Sequence, residues 1–126
     1  MKKRILLVDD EAGITRMMRR NLEATGRVEV MDINNPTLAV ETARQFRPDL
    51  VLLDVMMPDM DGGTVAADLA ADPQLAKVPI IFLTAIVSRN EVEPTGSMIG
   101  SHLFLAKPVK LDELLACIDT QLGKAG

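Results

Sequence analysis

The sequence predicts an α/β fold in which a parallel sheet is covered by helices on both faces. Three observations carry this expectation. Short, wholly apolar runs recur along the chain, amphipathic helical stripes fill the gaps between them, and Gly or Asn-Pro signals punctuate the changeovers. A strand buried on both faces reads as an unbroken apolar run, and strands that alternate with helices pair in parallel through right-handed crossovers.

The elements follow in order. Ile5-Leu6-Leu7-Val8, Leu50-Val51-Leu52-Leu53, Pro79-Ile80-Ile81-Phe82-Leu83 and the shorter Leu103-Phe104-Leu105 are runs of the buried kind. Residues 27–31 alternate polar and apolar side chains, as an outer strand does. Ile14, Met17, Met18 and Leu22 form a helical stripe that Gly26 stops. Asn35 and Pro36 read as the N-cap and first turn of a helix running through Phe46. Residues 64–71 form a short alanine-rich helix, and Leu111, Leu114, Leu115, Ile118 and Leu122 make a strong closing helix that ends at Gly123. Five strands with five helices is the flavodoxin-like (βα)5 plan, a doubly wound five-stranded sheet in the order 2-1-3-4-5. One stretch departs from it. Residues 89–100, where the fourth helix belongs, carry Pro94, Gly96 and Gly100. These cost a helix about 1 kcal/mol per glycine and about 3 kcal/mol for an interior proline, so the fourth helix is expected to be short, displaced or mobile.

Length and composition fit this plan. The 126 residues suit one domain spanning 1–126, with no effector domain within the chain, and 48% apolar residues allow a sizeable core. A net charge of −4 argues against direct nucleic-acid binding, which calls for a basic face. The longest apolar stretch, 78–87, is too short to cross a bilayer, and the run at 5–8 is too short for a signal-peptide core. One cysteine, Cys117, cannot form an internal disulfide and reads as a small core residue on a helix, so a reducing cytoplasm is expected.

In doubly wound sheets ligands bind beyond the carboxyl ends of the strands. Strand one ends in Asp9-Asp10-Glu11, strand three in Asp54, strand four in Thr84 and strand five in Lys107-Pro108. The expected strand order brings these ends together. Clustered carboxylates repel, and they must hold protons, spread into solvent or bind a cation. Hard oxygen ligands suit Mg²⁺, with Mn²⁺ as a substitute. An Asp carboxylate can also attack phosphorus, a reaction supported by a divalent cation, a fixed positive charge and a hydrogen-bond donor. Lys107 can supply the charge and Thr84 the hydroxyl.

The run Asp54-Val55-Met56-Met57-Pro58-Asp59-Met60-Asp61-Gly62 resembles the phosphoacceptor segment of response regulator receiver domains, and Asp9-Asp10, Thr84-Ala85 and Lys107-Pro108 fall where that family places its other site residues. The resemblance covers essentially the whole chain. It implies that Asp54 is phosphorylated by a sensor histidine kinase or a histidine phosphotransfer protein. Asp10 and the Met56 carbonyl would contact Mg²⁺ directly, together with Asp54, and Asp9 would help through water. Lys107 would pair with the phosphoryl group, and Thr84 would hydrogen-bond it. Phe104 matches the family's switching aromatic, which turns inward when Thr84 moves. Output would then be contact with a downstream protein target, with the chain a monomer or weak homodimer. Met56 and Ile86 would flank the acyl phosphate and shield it from water, which implies slow self-dephosphorylation.

Other readings compete. Taken alone, Asp9-Asp10 could be a solvated turn, Thr84 a plain strand end and Phe104 a core aromatic. His102 reads as an ordinary polar residue near the start of strand five, the eight methionines as core filler, and Gly62-Gly63 as relief for a tight loop. An aspartate-nucleophile phosphatase or dehalogenase would carry a second Asp two residues after the nucleophile, where Met56 stands. A flavin carrier would use aromatic stacking, and the chain has no Trp or Tyr. A receiver-like module that is never phosphorylated remains the fourth reading.

Overall fold

The structure, a computed structural model, describes residues 2–55, 57, 62–84, 97–99, 102–106 and 110–122, and only the strand backbone at 84, 97–99, 102, 103 and 106. The elements are β1 (Lys3–Val8), α1 (Ala12–Glu23), β2 (Val28–Ile33), a 3₁₀ turn (Pro36–Leu38), α2 (Ala39–Phe46), β3 (Leu50–Asp54), α3 (Gly62–Ala71), β4 (Ile80–Thr84), β5 (Ser97–Ile99), β6 (His102–Ala106) and α4 (Leu111–Leu122). No helix among the described residues is long and apolar enough to cross a membrane.

The five expected strands are present, parallel and in the expected order, β2-β1-β3-β4-β6. Alternate side chains of each strand feed opposite layers. Ile5, Leu7, Leu50, Leu52, Ile81, Leu83 and Leu105 pack with Leu22 of α1 and with Leu114, Cys117 and Ile118 of α4. Leu6, Val8, Val51, Leu53, Ile80 and Phe82 pack with Ala39 and Ala43 of α2 and with Val65, Ala66 and Leu69 of α3. Burying a side chain of this size stabilises by about 1.5–3 kcal/mol. The unbroken apolar runs in the sequence are the trace of this two-sided burial. Cys117 of α4 is buried in the core, as expected of a core thiol. The methionines divide: Met57 is buried, whereas Met17 and Met31 are exposed.

Several details differ from expectation, among them the start of α3 at Gly62 rather than at residue 64. β2 runs to Ile33, because its pairing with β1 continues as far as Val8 opposite Ile33. The helix opened by Asn35-Pro36 begins as a 3₁₀ turn, with the Asn35 carboxamide oxygen accepting the Thr37 N–H at 3.0 Å, and becomes α-helical only from Ala39. α2 ends on Arg47 at φ 55, a left-handed position with no glycine to announce it. Within 89–100, where the fourth helix was expected, residues 97–99 are instead a strand, antiparallel to β6, with Ser97 opposite Phe104. At these three residues pairing with the edge of β6 satisfies the backbone in place of helical hydrogen bonds. The sheet therefore has six strands, with β5 added outside the five parallel ones. Gly123 and residues 85–96 lie outside the described residues.

Candidate functional site

Parallel pairing sets the site. Val8 lies opposite Leu53, so Asp9, the first residue past β1, comes level with Asp54 at the end of β3. Asp54 pairs with Leu83, and Thr84, the last residue of β4, pairs with Ala106, the last of β6. Four strand ends thus meet at one edge of the sheet because every one of these strands points the same way.

Asp9, Asp10 and Asp54 each offer a carboxylate oxygen, and these three oxygens lie within 4.8 Å of one another. Asp9 is fully buried, Asp54 is 4% exposed, and Asp10 is half-buried. Two unit charges at that separation repel by about 3.5 kcal/mol at an effective dielectric of about 20. A divalent cation would reverse the sign of that term, and three hard oxygens with room for water suit Mg²⁺ or Mn²⁺. These three residues could hold such an ion.

The backbone holds the carboxylates in place. Asp9 N–H donates to the Ile33 carbonyl at 3.2 Å, and Asp9 Oδ1 accepts the Glu11 N–H at 3.0 Å. The Asn34 side-chain amide donates to the Asp9 carbonyl at 2.8 Å and to Thr15 Oγ1 at 3.0 Å. Thr15, buried in the first turn of α1, donates its hydroxyl to the Ala12 carbonyl at 3.1 Å. On the other side, Val55 N–H donates to the Leu83 carbonyl at 3.0 Å, and Gly62 N–H to the Val55 carbonyl at 2.9 Å. The start of α3 approaches so closely that a Cβ on Gly62 would stand 2.5 Å from the Asp54 carbonyl oxygen. Gly62, expected in a tight loop before the third helix, is instead the first residue of α3, and it sits at this contact.

Of the residues singled out in the sequence, Asp9, Asp10 and Asp54 come together. Thr84 ends β4 as expected, but its side chain, and all of Met56, Ile86 and Lys107, lie outside the described residues. His102 begins β6, at the end of the strand away from the carboxylates. Phe104 is half-buried and stacks on Phe82, with ring centroids 4.8 Å apart and planes 21° off parallel. Asn34 and Thr15 were missed. Nothing local marks them, and the only hint was an Asn placed where strand two meets the carboxyl edge.

The family model for the response regulator receiver domain matches residues 5–119. The chain belongs to this family. Among relatives of this receiver, the DNA-binding response regulator MtrA of Mycobacterium tuberculosis is 38% identical over 98% of this chain and 52% of its own length. The polar-differentiation response regulator DivK of Brucella anthropi is 30% identical over 99% of this chain and 100% of its own. The receiver thus spans about half the length of MtrA and all of DivK. The structure of the chemotaxis protein CheY4 of Vibrio cholerae superposes with a TM-score of 0.82 at 28% identity, covering 97% of this chain and 100% of that one. Receiver domains of two-component response regulators serve signalling rather than metabolic catalysis and bind Mg²⁺ at an acidic pocket. In this receiver the Asp9-Asp10-Asp54 group could hold a metal ion.

Proposed function

We propose that this receiver accepts a phosphoryl group on Asp54 from a sensor histidine kinase or histidine phosphotransfer protein and passes the signal on by reshaping a protein-binding surface. The observation that carries the reading is the convergence of Asp9, Asp10 and Asp54, their carboxylate oxygens within 4.8 Å, at the carboxyl edge of a receiver fold. A carboxylate oxygen of Asp54 attacks phosphorus as the bond to the donor's imidazole nitrogen breaks, and the bonding pair leaves with that nitrogen. Asp10, Asp54 and the Met56 carbonyl would hold Mg²⁺, with Asp9 helping through water, and the bound ion would neutralise charge on the phosphoryl oxygens. Lys107 adds a fixed positive charge, and Thr84 donates its hydroxyl to the phosphoryl group.

The switch rests on Thr84 and Phe104. Thr84 moves toward the phosphoryl group and Phe104 turns into the space it leaves, so that charge at Asp54 biases two packings of the domain. The stack on Phe82 gives Phe104 a defined starting position. In this reading the 126 residues hold one receiver domain and no effector domain within them, acting in the cytoplasm as a monomer or weak homodimer. Its target is a protein, and the net charge of −4 supports neither direct nucleic-acid binding nor attachment to an anionic membrane. The domain catalyses only its own phosphorylation and dephosphorylation.

The test is incubation with a small phosphodonor and Mg²⁺, followed by intact mass spectrometry of the wild type and Asp54→Asn. The expected result is one added phosphoryl group in the wild type and none in the variant. An unmodified wild type, or equal uptake by both proteins, refutes the reading.

A further inference from the structure

We propose that Asn34 is a positioning residue for the metal site, a role it plays by clamping the main chain of Asp9. The inference rests on the reading that Asp9, Asp10 and Asp54 hold a divalent cation. Its observation is separate: one exposed side chain at the end of β2 reaches both the strand end that carries the acidic pair and the helix that follows it.

The chemistry of the contact is unambiguous. A backbone carbonyl can only accept, so the Asn34 atom 2.8 Å from the Asp9 oxygen is its NH₂ group. Thr15 commits its proton to the Ala12 carbonyl, so its oxygen accepts the second Asn34 hydrogen. Asp9 is then held on both sides of its peptide. Its N–H goes to the Ile33 carbonyl, its carbonyl takes the Asn34 amide, and its carboxylate takes the Glu11 N–H. Carboxylates this close repel and relax apart unless the backbone resists. Asn34 supplies that resistance from outside the ligand set, as the groups that orient metal ligands commonly do.

The neighbouring residue is a built-in control. Asn35 has the same side chain but points elsewhere, accepting from Thr37 N–H and Thr37 Oγ1 at the start of the 3₁₀ turn. Losing it should weaken that turn without touching Asp9.

The experiment titrates Mn²⁺ into wild type, Asn34→Ala and Asn35→Ala, reading free Mn²⁺ by electron paramagnetic resonance, with thermal unfolding measured without metal alongside. Phosphoryl uptake from a small donor is then followed as Mg²⁺ is varied. Asn34→Ala should weaken Mn²⁺ binding about 10-fold, in line with the loss of groups that orient metal ligands. It should also raise the Mg²⁺ concentration for half-maximal uptake by a similar factor, with the rate largely restored at saturating Mg²⁺. Asn35→Ala should lower the unfolding temperature and leave the metal titration unchanged. Unaltered Mn²⁺ affinity in Asn34→Ala overturns the proposal, as does an equal loss of affinity in both variants. A wild type that binds no Mn²⁺ would overturn the metal reading itself, and the inference with it.

Discussion

The close approach of Gly62 to the end of β3 makes a sharp test of the site. Gly62 opens α3 without taking a left-handed φ, so alanine there costs nothing in backbone conformation. The cost is steric. A Cβ would lie 2.5 Å from the Asp54 carbonyl oxygen and 2.9 Å from Val55 Cα, both backbone atoms that no rotamer change can clear. Reaching ordinary contact, at 3.4 Å, requires the start of α3 and the end of β3 to part by roughly 0.9 Å. Overpacking of this kind costs about 1–3 kcal/mol. A shift near 1 Å at a reacting group can cost on the order of 100-fold in rate. Gly62→Ala should therefore lose about 1–3 kcal/mol in urea unfolding and take up phosphoryl groups on the order of 10–100-fold more slowly. Gly13→Ala is the matched control, because nothing lies within 4 Å of its added Cβ on the exposed face of α1. It should gain about 0.5–1 kcal/mol from helix propensity alone. A Gly62→Ala protein as stable and as rapidly modified as the wild type would refute the steric argument.

Two further predictions concern pH. The Asp72 carboxyl is held below the ordinary carboxylate range by the Gln74 N–H and, secondarily, by Arg44, to which it links the loop after α3. Its contribution to stability is present above the carboxyl's unfolded value and lost as pH falls through the folded one. Asp72→Asn should therefore unfold more easily at pH 7 and show a shallower further loss below about pH 4 in acid titrations followed by circular dichroism. Burial pushes the Cys117 thiol up, with Glu113 adding to the effect. The folded state then holds that proton more tightly than the unfolded chain, so its contribution persists at neutral pH and declines above about pH 9. A thiol reagent at pH 8 should label native protein far more slowly than urea-unfolded protein, and equal rates would contradict the buried placement.

What could be read from the amino acids alone was what short-range physics encodes. Leu50-Val51-Leu52-Leu53 announced a strand because both faces of β3 are buried, so no polar position interrupts the run. The spacing of Leu114 and Ile118 announced α4 because a helix repeats its buried face every three to four residues. Strand order followed from the alternation of elements, and with it came the meeting of Asp9, Asp10 and Asp54. The rest needed the folded chain. Arg47 takes a left-handed cap that a glycine would have advertised. Ser97–Ile99 is a strand because the edge of β6 offers it hydrogen-bond partners, which its own residues do not reveal. Asn34 reaches Asp9 across 25 positions, and Gly62 matters through the Asp54 carbonyl it nearly touches. Periodicity and turn chemistry act between near neighbours in the chain. The contacts that aim a carboxylate join residues brought together only when helices and strands pack, so tertiary structure alone decides them.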